Sequence, residues 1–138
     1  MVECVTAAFE VFTARIGKPP APMLADYRAL IAVGRVHLLE VDGAVVGVLV
    51  TEPRPDHLFV DVVAVRPAAQ RQGIGRRLMG FAEQEARRRG LVEVRLYTHE
   101  VMHGALALYR ALDYEESERR LEDGYARVYL RARLTGDQ

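Results

Sequence analysis

Apolar and polar positions alternate along this chain with two different periods, and the changes of period mark out its elements. From Val2 to Ile16 apolar residues fall at Val5, Ala8, Phe9, Phe12 and Ile16, a spacing that gathers them on one face of a helix. Gly17-Lys18-Pro19-Pro20-Ala21-Pro22 breaks the pattern, because proline lacks the amide hydrogen and clashes with the preceding turn. A second helix is predicted over Met23 to Val33, with Leu24, Tyr27, Leu30 and Ile31 on one side and Gly34 as its stop. Val36 to Val41 and Ala44 to Thr51 are rich in β-formers and flank Asp42-Gly43, a dipeptide suited to tight hairpin turns. From His57 to Val65 the chain is almost continuous Leu, Phe and Val, as in a strand covered on both faces, and Asp61 is its one charge.

A 3.6-residue period then returns. Ile74, Leu78, Ala82 and Ala86 recur every four residues in a helix that runs to Arg89 and stops at Gly90. Val92 to Thr98 alternates as a strand with two distinct faces. Gly104 to Leu112 reads as a short helix, and Tyr114 to Leu121 and Tyr125 to Leu134 read as strands joined at Asp123-Gly124. A strand, a long helix and a second strand make a βαβ unit, which requires a parallel pair, whereas the two Asp-Gly hairpins are antiparallel. The predicted fold is α/β: a mixed, mostly antiparallel central sheet containing one parallel pair, with helices on both faces, in a single domain over residues 1–138.

Composition narrows the function classes. Half of the 138 residues are apolar and 28% are charged, the balance of an ordinary globular domain rather than a disordered chain. A net charge of zero argues against a general nucleic-acid or polyanion binder, so any basic site must be local. Cys4 is the sole cysteine, which rules out an internal disulfide framework. No apolar run approaches the length needed to cross a bilayer, and a cytoplasmic location is expected.

The stretch from Val65 to Leu78 carries the chemistry. It joins the most apolar strand to the long helix through Pro67, Gln70, Gly73, Gly75 and four arginines, Arg66, Arg71, Arg76 and Arg77. A strand that turns through Gly-x-Gly into a helix leaves orphan amide N–H groups at the positive end of the helix dipole, a ready anion site. A dinucleotide fingerprint would need a third glycine where Leu78 stands, and a Walker loop would need Gly-Lys-Ser/Thr, which is absent.

Gln70-x-x-Gly73-x-Gly75, preceded by Val65-x-Pro67 and followed by Ala105-x-x-Leu108-Tyr109-x-x-Leu112-x-Tyr114, resembles the GNAT superfamily of N-acetyltransferases. The resemblance extends from about Val36 to Leu130. It implies that acetyl-CoA is the acyl donor, with the amides of Arg71, Gln72, Gly73, Ile74, Gly75 and Arg76, next to Gln70, holding its diphosphate. It further implies that the backbone of Val63, Ala64 and Val65 pairs with the pantetheine arm, and that Tyr109 protonates the leaving thiolate. Asp61, read by simple alternation on the face of Val63 and Val65, and Glu100 are candidate bases, and a water chain is a third route. The implied reaction moves an acetyl group to a primary amine of a small molecule or peptide, by direct attack in a ternary complex. The acceptor stays open among aminoglycosides, polyamines, amino acids, toxins and protein N-termini. Gly17 to Met23 is expected to wall its site.

The sequence departs from the family pattern in three places. Met102 and Ala105 stand where relatives often carry asparagine, Asp113 replaces a glycine, and the usual first strand has no room before the first helix. The closing hairpin offers an edge through which a homodimer could form.

Two other readings compete with acetyl transfer. One is an acyl-CoA-binding sensor or interaction module without turnover. The other rests on His99-Glu100-Val101-Met102-His103, which matches the H-E-x-x-H pattern of zinc hydrolases. That pattern requires both histidines one turn apart on a helix, but His99 ends a strand pattern and Gly104 follows at once. No metal is therefore expected.

Overall fold

The structure is a computed structural model and describes residues 1–134. Its strands are β1 (Val36–Val41), β2 (Ala44–Pro53), β3 (Leu58–Val65), β4 (Glu93–His99), β5 (Glu115–Glu122) and β6 (Tyr125–Arg133). Its helices are α1 (Val2–Phe9), α2 (Thr13–Ile16), α3 (Tyr27–Ala32), α4 (Ile74–Arg88) and α5 (His103–Ala111). The strands form one mixed sheet in the order β1-β2-β3-β4-β6-β5. Both Asp-Gly turns adopt the backbone their residues favour. Asp42 and Gly43 have φ of 52° and 81°, and Asp123 and Gly124 have 52° and 79°. Positive φ at both central residues marks the turn that matches strand twist. No strand precedes β1 among the described residues.

Two cores sandwich the sheet. On one face Ile74, Leu78, Met79, Ala82 and Ala86 of α4 pack with Leu49, Leu58, Val60, Val94 and Leu96. On the other, Cys4, Val5, Ala8 and Phe9 of α1 meet Val48, Val50, Val62 and Ala64. The predicted α/β architecture with helices on both faces is the one observed.

The feature that creates the site is a fork. The parallel pair β3–β4 holds register only at Leu58–Val94, Phe59–Arg95 and Val60–Leu96. Beyond Val60 the two strands part, while β4 stays paired with β6 as far as His99–Arg127. A bulge coincides with the parting. Val50 pairs with Val62 and Thr51 with Val60, so Asp61 is an extra residue with no partner across the β2 ladder. Bulges bend a strand and re-aim its side chains. Here the bulge reverses the alternation, so that Val60, Val63 and Val65 all pack with the α4-side core while Val62 and Ala64 join the α1-side core. Strict alternation would put Asp61 with Val63 and Val65. The bulge breaks that alternation, and Asp61 lines the fork together with Val63.

The N-terminal third differs from its periodicity. The first helical stretch is interrupted by a 3-10 turn at Glu10–Phe12 and ends at Gly17 with φ of 89°. The second helix begins at Tyr27 rather than Met23, because Asp26 caps it by accepting a hydrogen bond from the Ala29 N–H at 3.1 Å. Upstream of that cap, Ala21–Leu24 forms a separate 3-10 turn. Leu24 and Ile31, expected to be inward, are 67% and 53% exposed, and Tyr27 is the buried anchor. The remaining boundaries agree to within one or two residues.

Candidate active site

The segment between β3 and α4 is held by hydrogen bonds to the backbone of β2 and to the end of β3. The Arg66 N–H donates to Val46 O at 2.9 Å, Arg66 Nε donates to Val45 O at 3.1 Å, and Gln70 Nε2 donates to Val65 O at 3.2 Å. After a 3-10 turn at Pro67–Ala69 the chain passes through two left-handed residues, Arg71 at φ 66° and Gly73 at φ 77°, and enters α4. No side chain caps that helix, and its first intrahelical bond runs from the Arg77 N–H to Gly73 O at 3.0 Å. The amides of Ile74, Gly75 and Arg76 therefore point outward without helical partners. Gly75 keeps the first turn of α4 close to α5: a Cβ would lie 2.8 Å from Leu108 Cδ2, so a larger residue requires the Leu108 side chain to move.

These amides border a groove of about 610 Å³ that runs between α4 and α5 toward the fork. Val63, Val65, Gln70, Arg71, Gly73, Ile74, Gly75 and Arg76 of the expected coenzyme set line it. Gln72 is exposed beside it, and the Ala64 side chain is buried toward α1, so neither lines the groove. At its inner end the groove borders the part of β3 that β4 has left, where the backbone edge facing the fork has no strand partner.

A second, smaller cavity of about 70 Å³ lies in the fork itself. Asp61, Tyr97, His99, Tyr125 and Arg127 approach it from the sheet, and Pro20, Ala21 and Pro22 close it from the other side. Two tyrosines hold that loop in place. Tyr125 Oη donates to Pro19 O and Tyr27 Oη donates to Pro22 O, each at 2.6 Å. Arg127 is fixed by stacking, its guanidinium 4.3 Å from the Tyr97 ring centre and 5.5 Å from that of Tyr125, and by an ion pair to Glu122 at 3.4 Å.

Five residues border both spaces: Phe9, Val63, Met102, Ala105 and Tyr109. The groove and the cavity meet along these residues, and Tyr109 is the one among them with a hydroxyl group. Its ring packs against Tyr114 at 6.1 Å, and Tyr114 Oη donates to Glu83 at 2.9 Å.

The family model for the Acetyltransferase (GNAT) family matches residues 5–114. The chain belongs to the GNAT acetyltransferases. It is also 41% identical over 78 residues to the mycothiol acetyltransferase of Thermomonospora curvata, a match covering 56% of this chain and 26% of that protein. The chain thus spans about a quarter of the length of that relative. Among solved structures, Ard1 from Thermoplasma volcanium superposes with a TM-score of 0.75 at 16% identity, covering 98% of this chain and 94% of its own. A GNAT family acetyltransferase from Elizabethkingia anophelis, solved with acetyl-CoA bound, gives a TM-score of 0.67 at 20% identity, covering 81% and 87%. At these identities the likeness establishes a shared fold.

Against that family pattern, Asp113 takes the left-handed backbone of the glycine it replaces, with φ of 68°. Aspartate tolerates that region better than most residues. The turn closes with the Asp113 N–H on Arg110 O at 3.0 Å and the Tyr114 N–H on Tyr109 O at 2.9 Å. Met102 and Ala105 make the junction apolar where an amide side chain would have been polar. The Met102 sulfur is occupied by a hydrogen bond from Thr98 Oγ1 at 3.4 Å.

Burial pushes the Tyr109 phenol well above the ordinary tyrosine range, so it is protonated and able to donate at physiological pH. The Asp61 carboxyl is also pushed up, first by burial and then by Glu52, against the opposing pull of Arg54, Arg35 and Arg127. The other candidate base lies elsewhere. Glu100 does not line the cavity; its side chain is 49% exposed and 3.8 Å from Arg119.

The zinc reading fails on geometry. His99 is the last residue of β4 and His103 the first of α5, so the two do not share a helix face. Both His99 nitrogens face backbone donors, Nδ1 the Val101 N–H and Nε2 the Ala126 N–H, each at 3.2 Å. Burial holds its imidazolium below the usual range. His99 is a strut for the wall of the cavity. Arg127 and Tyr125, which sequence reading left unremarked, are functional candidates. Their only sequence signal was alternation in the last strand with Tyr129.

Proposed function

We propose that this chain is an N-acetyltransferase that moves an acetyl group from acetyl-CoA to a primary amine of a small molecule or peptide, by direct attack in a ternary complex. The observation that carries the reading is the meeting of two spaces of different character at one phenol. A long groove begins at uncapped helix amides, a small cavity sits in the strand fork, and Tyr109 borders both.

The residues present fit the donor. The amides of Ile74, Gly75 and Arg76 would hold its diphosphate, and glycine at 73 and 75 lets the backbone approach it closely. Arg71 and Arg76 add positive charge at the groove rim. The unpaired edge of β3 over Val63, Ala64 and Val65 would accept the pantetheine arm as an added strand. When bound, acetyl-CoA supplies an acyl group already activated as a thioester, which leaves positioning and proton movement to the protein.

Asp61 faces the cavity from the bulge and acts as the base that takes a proton from the incoming ammonium, directly or through water. A carboxylate raised by burial is a better proton acceptor than an exposed one. Tyr109 delivers a proton from Oη to the departing sulfur, since its environment favours the neutral phenol. Glu100 is exposed and paired to Arg119, and serves at most at the outer rim.

Isothermal titration with coenzyme A and a thiol-release assay over an amine library test the reading. Micromolar coenzyme binding and thiol release with a primary amine are expected. Absence of binding at high micromolar coenzyme would sink the proposal, and binding without release across the library would favour a silent sensor.

A further inference from the structure

The fork cavity contains opposite charges at separate places, and the phenol of Tyr125 on its wall is already engaged. Asp61 lies on β3 at the apex of the fork, one residue past the last β3–β4 pair. Arg127 lies on β6, opposite His99, two strands away in the sheet. Between them is Tyr97 of β4, whose ring carries the Arg127 guanidinium at 4.3 Å. Two strand spacings set the backbones of Asp61 and Arg127 apart by at least about 10 Å. The two side chains do not pair with each other. Among the described residues Asp61 makes no hydrogen bond or ion pair, whereas Arg127 is anchored by Glu122 and still lines the cavity.

What remains unfilled is specific. Tyr125 Oη is spent on Pro19 O, and the His99 ring sits between the backbone N–H groups of Val101 and Ala126, accepting from one of them. An unpartnered carboxylate beside the thioester end calls for a donor-rich cationic head, an ammonium. A guanidinium with five N–H donors, of which one is committed to Glu122, calls for an anionic group at the outer end. The volume of about 70 Å³ between the walls leaves room for a short linker only.

We propose that the acceptor is a small zwitterion of amino-acid type, its amine directed to Asp61 and its carboxylate to Arg127. This rests on the acetyl-transfer reading for the direction in which the amine points. The same polarity disfavours polyamines and aminoglycosides, which would place a second cation against Arg127 and a bulky ring system under the Pro20–Pro22 loop. A protein N-terminus, whose first carboxyl is an amide, would leave Arg127 unanswered.

Matched ligands test the proposal without requiring turnover. Free amino acids, their carboxamides, the corresponding decarboxylated amines and the 2-hydroxy acids are titrated at millimolar concentration into the wild-type chain, with thermal shift as the readout. At least one amino acid should bind about tenfold or more tightly than its amide, its amine and its hydroxy analogue. Arg127→Gln should abolish the preference for acid over amide, and Asp61→Asn the preference for amine over hydroxyl. Equal or better binding of the amides or simple amines overturns the proposal, as does failure of every amino acid to bind. Titration with coenzyme A alone is run in parallel. Its failure would count against the acetyl-transfer reading, and the acid-against-amide comparison stands whatever its result.

Discussion

The two halves of the site are built by different means. The groove takes one wall from a single stretch between Gln70 and Arg76, whose glycines set the geometry and whose backbone amides are proposed to hold the coenzyme. The fork cavity, proposed to take the acceptor, is made of side chains from distant elements. Asp61 sits on a bulge in β3, Tyr97 on β4, Tyr125 and Arg127 on β6, and the Pro20–Pro22 loop is tied down by Tyr125 and Tyr27. A backbone site constrains its sequence locally and binds one chemical group wherever it occurs. A side-chain site can be redrawn one residue at a time, so the fold can retain its donor while its acceptor changes.

Tyr109 is common to both halves, and its loss should have the largest effect. Tyr109→Phe keeps the ring that packs on Tyr114 and removes only the proton donor. A fall in kcat of about 10²–10⁴ is expected. Titration should show coenzyme affinity unchanged and acceptor KM little altered. A loss in KM instead of kcat would make the phenol a packing group and break the division into donor side, acceptor side and shared centre.

Gly75→Val should separate the two halves. The added branch collides with Leu108 Cδ2, and overpacking of this kind costs about 1–3 kcal/mol. Here the cost is concentrated where α4 presents its amides, so coenzyme binding should weaken about tenfold or more. The amino-acid thermal shift should persist in the variant, because no residue that contacts the acceptor has moved. Loss of both would show that the halves are one cooperative unit.

Asp61→Asn probes the cavity through stability. Burial raises the Asp61 carboxyl in the folded state, so above that raised pKa the ionised group opposes folding, and below the unfolded value both states are protonated and the cost vanishes. The variant should melt a few degrees higher than wild type at pH 7, and the gain should shrink as pH falls toward 4. It should also turn over more slowly. Scanning calorimetry across that pH range checks the first point, and a gain independent of pH would mean that the carboxylate is not the source.

How much of this was legible in the sequence follows the same division. Gly73, Gly75 and Gln70 form a local pattern, and the helix start, the groove and the Asp-Gly hairpins follow from residues within one turn of each other. The left-handed backbone at Asp113 was legible for the same reason. The bulge at Asp61 was not. Nothing in Leu58 to Val65 distinguishes an extra residue from a paired one, and the reversal it causes depends on how β2 registers against β3. Arg127 and Tyr125 were hidden because an alternating strand reads the same whether its outward face meets water or a cavity. The start of the second helix was misplaced because Asp26 caps the chain inside an apparently continuous apolar period.

Tyr125→Phe should have the smallest effect, and it is the sharpest test of the loop as a wall. The substitution keeps the ring under Lys18 and Arg127 and removes one hydrogen bond, the 2.6 Å contact to Pro19 O. Such a bond contributes about 1 kcal/mol net. Because it joins residues far apart in sequence across the cavity, its loss should free the loop more than it destabilises the fold. Acceptor KM should therefore rise several-fold with kcat and coenzyme affinity near wild type, and Tm should fall by only a few degrees. If KM for the acceptor stays constant while Tm falls, the Pro20–Pro22 loop is a structural strap, and specificity is set by Asp61 and Arg127 alone.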